Sequence, residues 1–200
     1  MRVIVITKEL PNNINDIINI KDNDYVIVVD GAFDNVLKQR IKIDLIIGDM
    51  DSIKNVKRLK GYEVIKLNPM KDDTDTKKAL EKAYEISNDV ILIGGIQGNR
   101  IEHFLGNIMS FHNHPNLLMI DQNSKIYLLN KSKHIIKKGN YINIFSYPEC
   151  SLSLKGFVYN LNNYTLKPFD QLIISNEVKD KFGEIEIHSG SAIIIETKKD

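Results

Sequence analysis

The sequence of 200 residues contains no tryptophan and one cysteine, and its charges nearly cancel, to a formal net charge of +1. A single cysteine, Cys150, excludes an internal disulfide framework, so the fold must rely on a hydrophobic core. Balanced charge argues against the basic surface of a nucleic-acid-binding protein. There is no apolar run long enough to cross a bilayer, and the first residues lack the features of a signal peptide. We therefore expect a cytoplasmic protein that binds neither nucleic acid nor membrane.

Short apolar segments alternate with helical patterns through residues 1–123. Val3–Ile6, Tyr25–Val29 and Val90–Ile93 have the composition of buried strands, whereas Asp75–Ser87 carries apolar residues at helical spacing. Such alternation is typical of a parallel sheet covered by helices on both faces. The pattern therefore predicts an α/β domain over this part of the chain.

Residues 124–200 have a different pattern, in which short strand candidates are separated by Gly, Asn, Pro and Asp. This spacing favours an antiparallel sandwich or barrel over further βα units. The candidates are Lys125–Leu129, His134–Ile136, Tyr141–Phe145, Ser151–Leu154, Gln171–Ser175, Gly183–Ile187 and Ala192–Thr197.

Two carboxylates, Asp49 and Asp51, follow the apolar segment Leu45–Ile47. Open α/β sheets bind their ligands at the carboxyl ends of the strands. Two carboxylates that converge there repel each other unless a cation lies between them, and hard divalent cations prefer oxygen ligands. The pair therefore predicts a Mg²⁺ site. The alternative is that both residues only cap a helix or shape a turn.

Two further clusters contain acids beside residues suited to phosphate. Asp30 and Gly31 follow an apolar strand, where a glycine allows the backbone to approach a ligand closely. Lys71 precedes Thr74 and Asp75 at the predicted start of a helix. Threonines and acids are also common at helix starts for structural reasons alone. A lysine beside a metal-binding carboxylate nevertheless suits a polyphosphate, which needs one cation to bridge it and one ammonium to neutralise it.

A glycine-rich loop with Gly95 and Gly98 joins a strand candidate to the predicted helix 100–112. Backbone N–H groups of such a loop, together with the helix dipole, bind phosphate. Arg100 offers a guanidinium fork to oxygen anions. The glycine spacing matches neither GxGxxG nor a P-loop. His103 could contact a ligand, act as a general base or cap the helix, and we favour a structural or hydrogen-bonding role.

Together these motifs resemble the thiamine pyrophosphokinase family. The matching segments are the Asp-Gly pair at 30–31, IDLIIGDMDS at 43–52, KDDTDTKKAL at 71–80, GIQGNRIEH at 95–103, SLKGFVY at 153–159 and ISNE at 174–177. The resemblance covers nearly the whole chain in order. It implies a Rossmann-like parallel-sheet domain over residues 1–123, which binds nucleotide and metal. It further implies an antiparallel β-sandwich domain over residues 124–200, which binds thiamine and forms a homodimer.

The resemblance also implies a reaction, in which Mg²⁺-bound ATP transfers its terminal pyrophosphate to the hydroxyl of thiamine and leaves as AMP. It assigns Mg²⁺ and the phosphates to Asp49, Asp51 and Asp75, with Arg100 as a further catalytic residue. A carboxylate, Asp75 or Asp51, is expected to orient the hydroxyl or to accept its proton. The resemblance places Lys71, Thr74, Gly98 and Arg100 around the nucleotide, and it assigns thiamine to Ser175 and Asn176. The other residues expected to bind substrate are Asp30, Gly31, Gly95 and His103.

The chain departs from the family pattern at Glu102, where an aspartate is usual. One added methylene moves a carboxylate by about a bond length, and octahedral Mg²⁺ tolerates misplaced ligands poorly. Two other functions remain open. A Mg²⁺-dependent nucleotide hydrolase would release AMP without thiamine, whereas a binding module would form no AMP and would not need its acids.

Overall fold

A computed structural model of the chain describes residues 1–68, 73–98 and 100–199. The fold is mixed α/β and divides into two compact units, Met1–Gln122 and Asn123–Asp200. Parallel strands and helices make up the first unit, and the strand pairs of the second unit are antiparallel throughout its described residues.

The first unit is built on a parallel sheet, as the apolar segments predicted. Its strands are β1 (Val3–Ile6), β2 (Tyr25–Val29), β3 (Leu45–Gly48), β4 (Glu63–Lys66), β5 (Val90–Ile93) and β6 (Leu118–Ile120). They lie in the order β6-β5-β1-β2-β3-β4, and every pair is parallel. All residues of β1, β3 and β5 are buried, and burial on both faces explains why these strands lack polar alternation.

Three α-helices accompany the parallel sheet in the described part of the first unit: α1 (Phe33–Lys38), α2 (Asp75–Ile86) and α3 (Ile101–Met109). Short 3₁₀ helices span Ile14–Asp16, Asp30–Ala32, Val56–Leu59 and Ser110–His112. Helix α2 buries Ala79, Leu80 and Ala83. Its N-cap is Thr74, whose Oγ1 accepts a hydrogen bond from the Lys77 N–H at 3.2 Å. Within the described residues, every helix is too short or too polar to span a bilayer.

The order of strand addition reverses at β1. The chain first adds β2, β3 and β4 on one side of β1, and then returns to place β5 and β6 on the other side. Open α/β sheets bind ligands in the crevice outside the carboxyl ends of the strands at such a reversal. The residues that follow β1, β2 and β5 are Thr7, Asp30 and Gly94. These residues therefore stand at the edge where a ligand is expected.

The second unit is built around two long antiparallel strands. Its strands are β7 (Ser124–Leu129), β8 (Ser132–Lys137), β9 (Asn140–Lys155), β10 (Leu161–Leu166), β11 (Asn176–Glu177) and β12 (Phe182–Lys198). Strand β12 pairs with β9 along most of its length and with β8 and β7 along its other edge. Strands β10 and β11 pair with β9. Buried apolar residues of this unit, among them Leu152, Phe157 and Ile185, form its core.

Several strand predictions for the second unit are corrected by the structure. Tyr141–Phe145 and Ser151–Leu154 both belong to β9, and Gly183–Ile187 and Ala192–Thr197 both belong to β12. Each pair of segments is separated by residues that usually mark turns, but here they mark register shifts in a continuous strand. Gly190 lies at one of these register shifts. A Cβ there would lie 2.0 Å from the Glu149 carbonyl oxygen, so the close approach of the two strands requires glycine.

Two further differences concern the edges of this sheet. The predicted strand Gln171–Ser175 is wrong, because its backbone is irregular and strand pairing begins only at Asn176. Strand β10 is absent from the predictions, because Asn162 and Asn163 interrupt its apolar pattern. An edge strand that pairs only with β9 needs fewer apolar residues than a central strand, so its sequence carries a weaker signal.

Candidate metal and nucleotide site

Three carboxylates converge where β2 and β3 end. Oxygens of Asp30, Asp49 and Asp51 all lie within 4.8 Å of one another. The parallel pairing of β2 with β3 brings them together, because it sets Val29 beside Ile47 just before the acidic residues. Oxygens bound to one Mg²⁺ are at most about 4.2 Å apart, and those bound to one Ca²⁺ about 5 Å. The group therefore fits a single hard divalent cation after small side-chain rotations.

Asp30 is the buried member of this group, with a relative exposure of 4%. Its carboxylate accepts hydrogen bonds from the N–H groups of Gly31 at 2.6 Å and Met50 at 3.0 Å. Burial, with a smaller contribution from the charges of Asp75 and Asp49, raises the pKa of the Asp30 carboxyl to about 6, although the two N–H groups act to lower it. A buried anion beside other anions favours the binding of a cation.

The backbone around Gly48 and Met50 shapes this acidic group. A Cβ on Gly48 would lie 2.5 Å from the Asp30 Cγ, so only glycine leaves room for that carboxylate. Met50 has a φ of +72°, a left-handed conformation that is costly for a residue with a side chain. Its N–H bonds Asp30 in this conformation, and the Asp51 N–H bonds Asp49 Oδ1 at 3.1 Å. The strained turn thus ties the end of β2 to the loop after β3.

A pocket of about 310 Å³ contains Asp30 and faces the ends of β1, β2 and β5. This volume is near the lower limit for small-molecule sites. The structure brings most of the predicted nucleotide residues to this one pocket. Its wall includes Gly31 and Thr74 from two acidic clusters, and Gly95, Gly98, Arg100 and His103 from the glycine-rich segment.

Asp75 also lines this pocket, but it is not a member of the group formed by Asp30, Asp49 and Asp51. Its charge nevertheless acts on Asp30. A direct role for Asp75 as a metal ligand stays a prediction. Lys71, which the sequence places in the same site, lies outside the described residues.

Arg100 stands at the N-terminus of α3 with its side chain 70% exposed. Its Nε donates to Glu102 Oε1 at 2.8 Å, and this contact lowers the pKa of Glu102. Glu102, which stands where the family usually has an aspartate, therefore forms an ion pair with Arg100 in this structure. The His103 N–H donates to the Arg100 carbonyl at 3.0 Å, in the first turn of the helix.

Two buried polar residues that support the glycine-rich loop were not predicted from the sequence. Asn107 donates from its amide to the Gly95 carbonyl at 2.9 Å, and Thr7 donates to the Ile93 carbonyl at 3.2 Å. A Cβ on Gly95 would lie 2.5 Å from the Asn107 amide nitrogen. Asn107 is polar within the apolar α3, and a buried amide in such a position indicates a specific hydrogen bond.

The predicted thiamine residues, Ser175 and Asn176, lie in the second unit. Asn176 is buried, and its amide donates to the Tyr159 carbonyl at 2.8 Å while its oxygen accepts the Tyr159 N–H at 3.2 Å. It thus holds the loop before β10. Ser175 is exposed and donates its N–H to Asn143 Oδ1 at 2.8 Å. Thiamine contacts at both residues stay predictions.

Family comparisons agree with these motifs. Residues 19–128 match the family described as "Thiamin pyrophosphokinase, catalytic domain", and residues 127–194 match "Thiamin pyrophosphokinase, vitamin B1 binding domain". The chain belongs to the thiamine pyrophosphokinase family. A relative in that family, the thiamine pyrophosphokinase of Bacillus subtilis, is 34% identical in an alignment that covers 74% of this chain and 75% of the relative.

Solved structures from the thiamine pyrophosphokinase family share the fold. The crystal structure of the enzyme from Bacillus subtilis gives a TM-score of 0.87 at 25% identity and covers both chains completely. The protein from Geobacillus thermodenitrificans gives 0.85 at 20% identity, over 100% of this chain and 99% of its own. The catalytic-domain match contains Asp30, Asp49 and Asp51, but it begins after residues 7–9, which also line the pocket.

Proposed function

We propose that this chain is a thiamine pyrophosphokinase that transfers the terminal pyrophosphate of ATP to the hydroxyl of thiamine, giving thiamine diphosphate and AMP. The observation that carries this proposal is the group of three carboxylates beside a pocket at the reversal of strand order, in a chain of this family. That edge of the sheet is suited to a phosphorylated ligand held through a metal ion.

Asp30, Asp49 and Asp51 would hold Mg²⁺, with Asp75 beside them. When bound, the ion would bridge the phosphates and offset their charge. The carboxylates alone would repel a triphosphate, since two unit charges 4 Å apart interact by about 4 kcal/mol at an effective dielectric constant of 20. We therefore expect the activity to depend strictly on a divalent cation.

The remaining pocket residues would position and neutralise the phosphates. The oxygen of the thiamine hydroxyl attacks the β-phosphorus, and the bond from that phosphorus to the AMP oxygen breaks. Gly95 and Gly98 allow the loop backbone to approach the phosphates, and Arg100 would exchange Glu102 for a phosphate oxygen. The hydroxyl proton passes to Asp51 or Asp75. Lys71, from outside the described residues, would complete the charge neutralisation.

Domain roles and assembly are part of the same proposal. Residues 1–123 would form a Rossmann-like catalytic domain, and residues 124–200 a β-sandwich that binds thiamine through Ser175 and Asn176. We propose a cytoplasmic homodimer. Exposed apolar side chains in the second unit, such as Tyr159 at 72%, Phe169 at 100% and Leu172 at 56% exposure, would be available to an association surface there.

The decisive experiment incubates the protein with Mg²⁺, ATP and thiamine and quantifies AMP and thiamine diphosphate by chromatography. We expect the two products in equal amounts, with neither formed in the presence of excess EDTA. AMP release without thiamine would instead identify a nucleotide hydrolase. Binding of ATP without AMP formation under any condition would identify a binding module and overturn the proposal.

Metal binding should weaken at acid pH because Mg²⁺ must displace a proton from Asp30. The pKa of this carboxyl is about 6, so the group is ionised above that pH and protonated below it. We expect Mg²⁺ affinity, measured by calorimetry, to fall by about tenfold for each pH unit below 6.

The raised pKa of Asp30 also predicts how the folding stability of the metal-free protein depends on pH. A raised carboxyl pKa contributes stability that is complete below pH 3.8 and is lost as the pH rises through about 6. The Asp30→Asn variant removes this group and should bind Mg²⁺ weakly without the same pH dependence. Equal pH profiles in the variant and the parent protein would contradict the assignment.

A further inference from the structure

Lys8 lies at the reversal of strand order, directly beyond the end of β1. Its neighbour Thr7 is buried and hydrogen-bonded to β5, which fixes the backbone from which Lys8 extends. The lysine stem lies over Gly31, since a Cβ on that glycine would meet Lys8 Cδ at 3.6 Å and Cβ at 3.7 Å. A Cβ at Gly31 would therefore be in ordinary van der Waals contact with this stem. Lys8 is exposed and lines the pocket that contains Asp30.

The residue after Lys8 packs on the other side of this pocket. Glu9 has a left-handed φ of +68°, and a Cβ on Gly98 would meet its Cγ at 3.0 Å. The segment 7–9 thus lies between the turn at Gly31 and the loop at Gly98. The loop at Gly98 was predicted to bind phosphate and Gly31 to let the backbone approach a ligand, so Lys8 stands between two candidate ligand-binding backbones.

Lys8 is a basic side chain in a pocket that is also lined by the acidic side chains of Glu9, Asp30 and Asp75. Arg100, the other basic side chain on the described pocket wall apart from His103, is bonded to Glu102. The Lys8 ammonium forms neither a hydrogen bond nor an ion pair with residues 1–68, 73–98 and 100–199. Asp30 and Asp75 line the same pocket. A lysine held in an acidic pocket without a protein partner is available to a ligand anion.

We propose that the Lys8 ammonium binds a phosphate of the nucleotide in this pocket and so contributes to ATP affinity. The inference rests on the proposed function for the identity of the nucleotide. Thiamine carries a positive thiazolium ring, which a lysine repels, whereas the triphosphate is an anion that a lysine attracts. Lys8 would thereby favour ATP over thiamine at this end of the pocket. The residue lies before the segment that matches the catalytic-domain family, so that match does not assign it.

The test compares the parent protein with Lys8→Met, Lys8→Arg and a control, Lys60→Met, which removes an exposed lysine outside the pocket. Calorimetry measures the Kd of ATP in the presence of Mg²⁺ and without thiamine, and steady-state assays measure both KM values. We expect Lys8→Met to raise the Kd and KM of ATP by about tenfold, as for loss of one charged hydrogen bond, and to leave the KM of thiamine unchanged. Lys8→Arg should restore most of the affinity, and Lys60→Met should have no effect.

The outcomes separate this inference from the proposed function. An unchanged Kd of ATP in Lys8→Met would overturn the role of Lys8, even if the parent protein makes thiamine diphosphate. A lowered melting temperature with weak binding in both Lys8 variants would indicate a structural role and would also overturn it. If the parent protein binds ATP but forms no thiamine diphosphate, the proposed function fails, while the calorimetry still decides whether Lys8 binds a nucleotide phosphate.

Discussion

Replacement of Asp51 by Asn is expected to lower the turnover of thiamine diphosphate formation by at least about 100-fold. Residues that only hydrogen-bond to a metal ligand already change metal affinity or activity by about 10- to 100-fold when mutated, and loss of a ligand itself should cost more. Asp51 is the exposed member of the acidic group, and its described side-chain partner is the hydroxyl of Ser52. The amide keeps the size of the side chain but removes the charge. The melting temperature without metal should therefore change by no more than about 2 °C, as for an exposed position.

Asp22→Asn is the matched control for this prediction, because it makes the same chemical change at an exposed residue outside the acidic group and the pocket. Its turnover should equal that of the parent protein. Titration with Mg²⁺ distinguishes weakened metal binding from lost chemistry, since only the former is restored at high metal concentration. Full activity of Asp51→Asn at the Mg²⁺ concentration that saturates the parent protein would show that Asp51 is no ligand.

Replacement of Gly48 by Ala should destroy the acidic group without removing any of its carboxylates. The new methyl would lie 2.5 Å from the Asp30 Cγ and 2.7 Å from its Cβ. Rotation of the carboxylate cannot relieve the contact with Cβ, so the backbone after β2 or β3 must shift. We expect a loss of about 1–3 kcal/mol in unfolding free energy, as for other overpacked sites. A fall in turnover of at least about tenfold should follow from the displaced carboxylate.

Gly106→Ala provides the comparison for the glycine change, because a Cβ at Gly106 in α3 meets no other atom within 4 Å. Alanine should stabilise that helix by about 0.5–1 kcal/mol and leave turnover unchanged. Chemical denaturation and the product assay measure both effects. If Gly48→Ala retained parental stability and activity, the tight approach of Gly48 to Asp30 would be irrelevant to the site.

The strands of the first unit were predictable from the sequence because burial on both faces leaves an unbroken apolar segment. Val3–Ile6, Tyr25–Val29 and Val90–Ile93 have the predicted bounds. In the second unit, partly exposed strands carry weaker patterns. Gly190 separates two predicted strands although β12 continues through it, since a bulge and a turn use the same residue.

The sequence also predicted the chemistry of the site, but it did not predict which residues form the acidic group. The spacing of Asp49 and Asp51 predicted a metal site, and both belong to the acidic group. Asp30 was predicted beside the nucleotide because of its turn, whereas the structure groups it with those two residues. Asp75, predicted as the third ligand, lines the pocket instead. Which distant acid joins the pair depends on which strands are neighbours.

The sequence alone determined the order of strands and helices in the first unit, the residue types at the carboxyl ends of its strands, and the family motifs. These are local properties, set by burial periodicity and by the chemistry of short segments. Only the tertiary structure decided that β1 lies between β2 and β5, and with it the place of Thr7 and Lys8 in the pocket. Strand order follows from how the whole apolar surface is buried, and that is a property of the folded chain rather than of any segment.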